Sequence, residues 1–166
     1  MSEGWTYRPL QSGEEAAVCD FVLRVFAEFV AGQYVAAGVR EFQAYVQPEA
    51  LRRRLQADHF VLLAEAAGEI VGAIEVRACD HISLLFVAGR FQRRGIAREL
   101  LQRALATCRR QRPEVREISV NSSPNAVQAY ARLGFRPLGA EQTVNGIRFT
   151  PMALALAEAA EGRNHG

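Results

Sequence analysis

The chain has 166 residues, of which 49% are hydrophobic, and its formal net charge is only +2. This length and composition predict a single domain with one buried core, and the charge is too small to predict a polyanionic partner. No apolar stretch is long enough to span a membrane, and the N-terminus lacks the basic-then-apolar pattern of a signal peptide, so we expect a cytoplasmic protein.

The basic residues are all arginines, 20 in number. Eight of them lie between Arg90 and Arg112, where they alternate with leucines. This alternation predicts the solvated face of one helix, so we expect no nucleic-acid partner.

Cysteine and histidine show neither a disulfide framework nor the spacing of a metal site. The three cysteines include no Cys-x-x-Cys pair, and the three histidines lack the spacing of metal ligands. We therefore expect no bound metal, and free buried thiols at Cys19, Cys79 and Cys108.

From the N-terminus, the sequence predicts one strand followed by three helical segments. Ser12 and Glu15 have the spacing of a capping box, in which the serine caps the helix and the glutamate bonds back to it. The apolar residues that follow recur with a helical period, and Gly32 supplies a stop. The predicted elements are a strand at Trp5 to Pro9, a helix from Ser12 to Gly32, a helical stretch at Val39 to Val46, and a further turn from Pro48 through Leu55.

Three strands come next, at Phe60 to Glu65, Ile70 to Arg77 and His81 to Val87. Their connections are so short that they must be antiparallel neighbours. The apolar residues after Gly95 recur with a helical period, and this helix is long enough to form a crossover. We therefore expect the strand at Glu117 to Asn121 to lie parallel to the strand that begins at His81.

The C-terminal part predicts one more helix and two strands. Pro124 fits the first position of a helix, with Ser123 as its cap. Pro151, inside the last strand, predicts an edge or a bulge there. We expect one domain over residues 1–157 and a disordered tail over residues 158–166. The last elements are a helix from Ser123 to Gly134 and strands at Phe135 to Leu138 and Ile147 to Leu154, with Asn145-Gly146 as a turn.

The turn before the long helix reads Gln92-Arg93-Arg94-Gly95-Ile96-Ala97. The first turn of a helix presents N–H groups without intrahelical partners, and the helix dipole adds positive potential there. Gly95 and Ala97 leave room for a pyrophosphate, and Arg93 or Arg94 neutralises part of its charge. The same residues also fit an ordinary helix start whose glycine relieves a tight turn.

Two segments together resemble the GCN5-related N-acetyltransferase (GNAT) superfamily. Gln-x-x-Gly-x-Ala, between an apolar strand and an amphipathic helix, is similar to its acetyl-CoA signature, although Ala97 stands where a glycine is more frequent. The segments Asn121 to Val127 and Tyr130 to Phe135 resemble its next strand and helix. The resemblance implies an α/β (α+β) fold with a central mixed, mostly antiparallel sheet of about six to seven strands flanked by helices. A splayed parallel strand pair would form the CoA crevice.

The resemblance also implies how acetyl-CoA is bound. The backbone of Phe86 and Val87 would pair with the pantetheine arm, and the N–H near Val87 would stabilise an oxyanion. Asn125 would either bond the pantetheine or order its own loop. The implied acetyl-CoA site comprises Phe86, Val87, Gln92, Arg93, Arg94, Gly95, Ile96, Ala97, Asn121 and Asn125.

Tyr130 is the predicted general acid, because the superfamily commonly has a tyrosine at this position that donates a proton to the departing CoA thiolate. A phenol with a pKa of about 10 would act there mainly as a hydrogen-bond donor. Packing of Tyr130 on the core is the alternative. Glu75, inside an apolar strand, and His81, at the start of the next strand, are both candidate general bases, and each also fits an ordinary polar position.

The implied activity is acetyl-CoA-dependent N-acetylation of a primary amine, on a small molecule or a peptide, by direct attack in a ternary complex. An alternative is a catalytically inactive acyl-CoA-binding regulatory module, and both a monomer and a homodimer remain open. The amine site would be built from Glu28 to Tyr45 and Glu141 to Arg148, with Glu28, Tyr34, Glu41 and Tyr45 as candidate lining residues.

Overall fold

The computed structural model describes residues 4–156, so the tail predicted over residues 158–166 lies outside the described residues. Within residues 4–156 the chain forms eight strands and five α-helices. The strands are β1 (Trp5–Pro9), β2 (His59–Ala66), β3 (Glu69–Arg77), β4 (His81–Val87), β5 (Glu117–Ser122), β6 (Arg136–Pro137), β7 (Gln142–Val144) and β8 (Ile147–Ala155). The helices are α1 (Glu15–Phe29), α2 (Ala36–Tyr45), α3 (Pro48–Leu55), α4 (Ile96–Gln111) and α5 (Val127–Arg132).

The strands form one open sheet in the order β1-β2-β3-β4-β5-β8-β6, with β7 pairing to β8. Every pairing is antiparallel except that of β4 with β5, which is parallel. The predicted mixed, mostly antiparallel sheet flanked by helices is therefore confirmed. The structure describes eight strands rather than the predicted six to seven, because the three-residue β7 was not predicted. The strand predicted at Phe135 to Leu138 is present as the two-residue β6.

The parallel pair is short and then splays apart. β4 and β5 are paired only at His81 with Ser119 and at Ile82 with Val120. A β-bulge begins at this point: Glu75 of β3 faces Leu84, and the next residue of β3 faces Ile82, so one residue of β4 is extra. A bulge bends its strand and increases the twist, which turns the second half of β4 away from β5. The divergence opens a crevice in the middle of the sheet.

Helices cover both faces of the sheet, so the sheet separates two layers of the hydrophobic core. The layer of α4 and α5 contains Leu100, and the layer of α1, α2 and α3 contains Val22, both fully buried. We call these the α4 layer and the α1 layer. Alternate side chains of β4 point into opposite layers, Leu85 into the α4 layer and Phe86 into the α1 layer. The crevice between β4 and β5 therefore connects the two layers.

The predicted capping box at the start of α1 is wrong. The helix begins at Glu15 and is preceded by Glu14, so Ser12 does not cap it. Instead, the N–H of Gln11 donates to the Glu14 carboxylate (2.7 Å) and the N–H of Gly13 donates to the Glu15 carboxylate (3.1 Å). Two carboxylates thus accept the hydrogen bonds of this turn, and acidic groups are favoured at a helix N-terminus.

The edge or bulge predicted from Pro151 is present on one side of the strand only, because β8 pairs with β6 and then with β7 in registers that differ by two residues, and Pro151 lies between the two pairings. Its strand, β8, lies between β5 and β6, and its register with β5 is continuous. The Pro151 carbonyl accepts a hydrogen bond from the N–H of Leu138 (2.8 Å), so it points toward β6 and β7. In an antiparallel ladder the nitrogen and the carbonyl of one residue point to the same side, so the Pro151 nitrogen points there too. β6 ends at Pro137 and β7 begins at Gln142, so the missing N–H faces a gap between these two strands.

Candidate active site

The crevice between the diverging halves of β4 and β5 has a volume of about 620 Å³. One end of it reaches the N-terminus of α4, and the other end reaches α1 and Phe42 of α2. Its lining includes most of the predicted acetyl-CoA residues, namely Phe86, Val87, Gln92, Arg93, Gly95, Ile96, Ala97, Asn121 and Asn125, as well as Tyr130.

The N-terminus of α4 is arranged as an anion-binding site. Gly95 precedes the helix in the left-handed region at φ 85°, and the space that a Cβ atom would occupy there is open. The Ile96 side chain is buried in the core, so this residue offers only its backbone to the crevice. The N–H groups of the first turn have no intrahelical acceptors and carry the positive end of the helix dipole.

Three arginines line this end of the crevice: Arg93, Arg98 and Arg132. Arg98 also donates to the backbone carbonyl of Arg132 (3.1 Å), which links the start of α4 to the end of α5. The guanidinium of Arg94 lies 5.7 Å from the Phe91 ring centroid, and Arg94 does not line the crevice. Of the two arginines considered for the phosphates, Arg93 lines the crevice and Arg94 does not, and the motif did not indicate Arg98 or Arg132.

The side chain of Gln92 stabilises the turn between β4 and α4. Its side-chain amide donates to the backbone carbonyl of Val87 (3.0 Å), so the first residue of the motif fastens the turn to the end of β4. Arg93 follows in the left-handed region at φ 63°, which only a few per cent of non-glycine residues adopt. The motif thus fixes a sharp bend in the backbone, and this bend places the first turn of α4 at the crevice.

The backbone of β4 presents hydrogen-bonding groups to the crevice at alternate residues. The N–H of Ala88 donates to the carbonyl of Val71 (2.9 Å), continuing the ladder of β4 with β3. Hydrogen-bonded pairs alternate along an antiparallel ladder, so Phe86 bonds to β3, whereas Leu85 and Val87 turn their N–H and C=O groups toward β5. Because β5 has diverged here, these groups face the crevice.

The role predicted for Phe86 needs correction. Its backbone is engaged with β3, and its ring lies in the α1 layer, 5.9 Å from the Phe42 ring centroid. The backbone position that faces the crevice beside Val87 is Leu85, which the sequence did not single out. Alternation along the strand would have identified it once the pairing with β3 was known.

Tyr130 lies on α5 in the wall of the crevice and is 8% exposed. Its ring packs edge-on against Phe135, with the centroids 5.3 Å apart and an interplanar angle of 72°. Burial raises the pKa of the Tyr130 phenol well above its ordinary value. The hydroxyl therefore stays protonated at every pH at which the fold is expected to function, and both roles considered for Tyr130, packing and proton donation, are compatible with this position.

The two asparagines lie on the β5 side. Asn121 is in β5, opposite Pro151, and lines the crevice. The side chain of Asn125 donates to the carbonyl of Phe29 (2.9 Å), and its backbone N–H donates to the side chain of Gln33 (3.2 Å). Of the two roles considered for Asn125, the ordering of a loop is the one that these contacts support, because they tie the β5–α5 connection to the end of α1.

Neither candidate base reaches the crevice. Glu75 points into the α1 layer, 1% exposed, where Arg54 holds both carboxylate oxygens (2.7 and 3.0 Å) and His59 Nδ1 lies 2.6 Å away. His81 begins β4 at the end opposite Val87, and its Nδ1 lies 2.8 Å from the hydroxyl of Ser119. Burial lowers the pKa of His81. The Glu75 carboxylate is already held by Arg54, and His81 lies at the far end of β4. Both are therefore poorly placed to take a proton from an acceptor bound near Val87.

The end of the crevice in the α1 layer is walled by aromatic rings. Phe26 stacks on Phe42 with the centroids 4.1 Å apart, and Tyr34 lies 5.5 Å from Phe26. We define the aromatic wall as Phe26, Phe29, Tyr34, Phe42 and Phe86, all of which line the crevice. Among the residues that the structure describes, neither a carboxylate nor a histidine lines the crevice.

Of the four candidates for the amine site, only Tyr34 lines the crevice. Glu28 lines a separate surface depression beside Gly89. The Glu41 carboxylate accepts a hydrogen bond from Asn145 (3.3 Å), and the Tyr45 ring lies under the Arg54 guanidinium, 3.7 Å from it. Helix surface positions alone did not distinguish these environments.

The family model described as Acetyltransferase (GNAT) domain matches residues 30–156, more than half of the chain. The protein therefore belongs to the GNAT acetyltransferase family. A search of curated proteins gave no match.

Solved structures show the same fold at low sequence identity. A GCN5-related N-acetyltransferase from Rhodopseudomonas palustris is 21% identical with a TM-score of 0.75, and 94% of this chain and 98% of that one are covered. The PaiA N-acetyltransferase from Thermoplasma acidophilum, solved in complex with coenzyme A, is 18% identical with a TM-score of 0.73, covering 94% and 100%. A spermidine N-acetyltransferase SpeG chimera from Vibrio cholerae and hSSAT is 17% identical with a TM-score of 0.60, covering 92% and 96%.

Two further observations concern the described part of the chain. No helix between residues 4 and 156 has the length and apolar character needed to cross a bilayer. Over the same residues, histidine, cysteine and carboxylate side chains do not gather in groups of three that would suit a metal ion.

Proposed function

We propose that the protein transfers an acetyl group from acetyl-CoA to a primary amine by direct attack of the amine in a ternary complex. The observation that carries the proposal is the crevice at the β4–β5 splay, which joins three features in one cavity. They are the N-terminus of α4 with its arginines, the backbone edge of β4 at Leu85 and Val87 that faces away from β3, and the phenol of Tyr130. Acetyl-CoA would supply an activated acyl group as a thioester.

The α4 end of the crevice would hold the pyrophosphate. The N–H groups of its first turn donate to phosphate oxygens, and Arg93, Arg98 and Arg132 add positive charge around them. Leu85 and Val87 would pair with the amide groups of the pantetheine, as a neighbouring strand does. A β4 N–H on this edge is also placed to stabilise the negative charge that develops on the thioester oxygen.

Tyr130 would donate a hydrogen bond to the departing thiolate. The raised pKa of the buried phenol makes complete proton transfer to a thiolate unfavourable, because an ordinary thiol has a pKa of about 8.5. Its contribution is therefore stabilisation of the leaving group through a charge-assisted hydrogen bond, which strengthens as the carbon–sulfur bond breaks.

Removal of the proton from the amine would fall to water. Since neither a carboxylate nor a histidine of the described residues lines the crevice, the amine has to bind as the free base or lose its proton to solvent through the crevice mouth. The same observation supports the second candidate function, an acyl-CoA-binding module without catalytic activity. The two functions differ in whether any amine stimulates the release of CoA.

The test is acetyl-CoA consumption, followed by mass spectrometry, against a panel of primary amines and short peptides. We expect an amine-dependent rate, and Tyr130→Phe should lower kcat by up to roughly 10²- to 10³-fold, the loss expected for one hydrogen-bond donor to developing negative charge, with little change in acetyl-CoA affinity. Tyr7→Phe, on the edge strand β1 and away from the crevice, is the matched control and should retain the wild-type rate. An unchanged rate for Tyr130→Phe would restrict Tyr130 to packing, and tight acetyl-CoA binding without turnover of any amine would favour the binding module.

A further inference from the structure

We infer that the acceptor is an amine carried on an aromatic body, such as an arylalkylamine, and is not a polyamine or an aminoglycoside. This inference rests on the proposed function and names the class of acceptor that the α1-layer end of the crevice fits. It follows from the shape, the chemistry and the charge of that end.

The position of the aromatic wall identifies it as the acceptor side. The groups assigned to acetyl-CoA lie at the α4 end and along the free edge of β4, and Tyr130 lies in the α4 layer. An amine has to reach the acyl carbon from a direction that these groups leave open. The splay of β4 and β5 joins the two layers, so the open direction is through the α1 layer, where the aromatic wall lies.

The rings of the wall form a connected surface with accessible faces. Phe26 is buried and stacks on Phe42, and Phe42 in turn contacts Phe86 at 5.9 Å. Phe29, Tyr34, Phe42 and Phe86 remain half-buried, so each still presents part of its ring to the crevice. Aromatic pairs prefer offset or edge-on contacts at centroid distances of about 4.5–7 Å, and a further ring would extend this cluster with the same geometry.

The charges near the wall disfavour an acceptor with several ammonium groups. A polyamine or an aminoglycoside needs carboxylates around its remote ammonium groups, because burial of an unpaired ammonium is costly. The nearest acidic side chains on α1 and α2, Glu28 and Glu41, face a separate depression and Asn145 respectively. The charged side chains that do line the crevice, Arg93, Arg98 and Arg132, lie at the α4 end and are positive, so the described lining offers an ammonium group no counter-charge.

The experiment compares initial rates for four acceptors at saturating acetyl-CoA. 2-Phenylethylamine carries the ring, n-butylamine is a monoamine without one, and spermidine and kanamycin carry several ammonium groups. We expect kcat/KM for 2-phenylethylamine to exceed that for n-butylamine by roughly 10- to 100-fold, because a buried ring removes a large apolar area from water. Spermidine and kanamycin should be the poorest acceptors.

Substitutions in the aromatic wall test whether its rings bind the acceptor. Phe42→Ala and Tyr34→Ala should each lower kcat/KM for 2-phenylethylamine about tenfold or more, lower kcat/KM for n-butylamine by a clearly smaller factor, and leave the Kd for acetyl-CoA nearly unchanged. Phe60→Ala is the matched control, because Phe60 is half-buried in β2 and packs in the α4 layer outside the crevice. Calorimetric titration of 2-phenylethylamine into each protein loaded with CoA measures the same site without turnover.

The outcomes separate this inference from the proposed function. A preference for spermidine or kanamycin would overturn the inference and leave the acetyltransferase proposal intact. Binding of 2-phenylethylamine that Phe42→Ala and Tyr34→Ala weaken, without acetylation of any amine, would uphold the acceptor class and overturn the proposed function. If 2-phenylethylamine is neither acetylated nor bound, or if all variants bind it equally, the inference is wrong.

Discussion

Glu75 is an acidic residue in an almost completely buried place, and its hydrogen-bond partners explain how the fold accommodates it there. Arg54 contacts both of its carboxylate oxygens, and Arg54 is itself stacked on the Tyr45 ring and donates to the Tyr45 carbonyl (2.7 Å). Burial of an isolated carboxylate would be prohibitive, whereas a paired and hydrogen-bonded one is tolerated. The group ties α3 to β3, so its role is structural.

We therefore expect Glu75→Gln to destabilise the fold. The substitution leaves the Arg54 guanidinium buried without its counter-charge, and loss of one partner of a buried pair costs about 3–5 kcal/mol. The measurement is urea unfolding. The control is Glu99→Gln, which removes an exposed pair with Arg103 (2.8 Å) and should cost no more than about 0.5 kcal/mol. A neutral effect of Glu75→Gln on stability, accompanied by a loss of turnover, would restore Glu75 as a general base.

Gly95 is the residue on which the anion site depends most directly. The open space around its Cβ position means that a side chain would not clash with the protein but would project from a left-handed backbone at the start of α4. Gly95→Glu should abolish measurable acetyl-CoA binding, because it adds a negative charge where phosphates are expected and strains the turn by about 1–2 kcal/mol. Isothermal calorimetry with acetyl-CoA measures the loss.

Gly139→Glu is the control for that substitution. Gly139 also has open space around its Cβ position, but its φ lies outside the left-handed region and it does not line the crevice. Acetyl-CoA should bind this variant with wild-type affinity. Equal binding by both glutamate variants would mean that the pyrophosphate lies away from α4.

At the scale of elements, the acceptor side is held in place by a glycine-to-glycine contact. The backbone of α2 at Gly38 approaches the β7–β8 turn at Gly146 so closely that a Cβ atom on Gly38 would overlap the Gly146 carbonyl. Asn145, at φ 53°, and Gly146, at φ 82°, form a turn of the type that two-residue hairpins use. This contact positions α2, which carries Phe42 of the aromatic wall.

Gly38→Ala should separate α2 from the hairpin. The added methyl group meets backbone rather than a flexible side chain, and overpacking of this kind costs about 1–3 kcal/mol. We expect a lower melting temperature and a raised KM for the acceptor, with the Kd for acetyl-CoA unchanged. Gly32→Ala, where nothing lies near the Cβ position, is the control and should show neither effect. A KM unaffected by Gly38→Ala would mean that α2 does not help to shape the acceptor site.

The sequence predicted the elements well where a period of two or 3.6 residues extends over a whole strand or helix. α4 is an example, because one of its faces is buried along its full length. β4 was predicted instead from its continuous apolar run, and its side chains enter both layers. β7 was missed because its three residues are all exposed and so leave no pattern of burial. The start of α1 was misplaced because carboxylates at Glu14 and Glu15, rather than the nearby serine, accept the turn's hydrogen bonds.

The candidate site was predictable only where a local motif carries it. Gly95 and its neighbours could be identified because the strand, the turn and the helix are contiguous. Arg98 and Arg132 come from separate helices and meet only in the folded chain. That Glu75 and His81 lie outside the crevice could not be predicted, because the sequence does not show which layer or which strand end a side chain faces. The aromatic wall combines α1, α2 and β4, and no spacing along the chain indicates it.

At the scale of the whole molecule, β4 is joined to β5 by only two residue pairs. They are the only backbone ladder between the part of the sheet formed by β1 to β4 and the part formed by β5 to β8 within the described residues. Each part is formed by one continuous segment of the chain, residues 5–87 and residues 117–155, so each can form its own strand pairings before the two meet. The β4–β5 junction therefore has few hydrogen bonds, and the two parts are held together mainly by the buried side chains beneath α4. We call this junction the seam. A molecule bound along the seam would act as a cross-link between two subdomains that the chain itself only lightly joins.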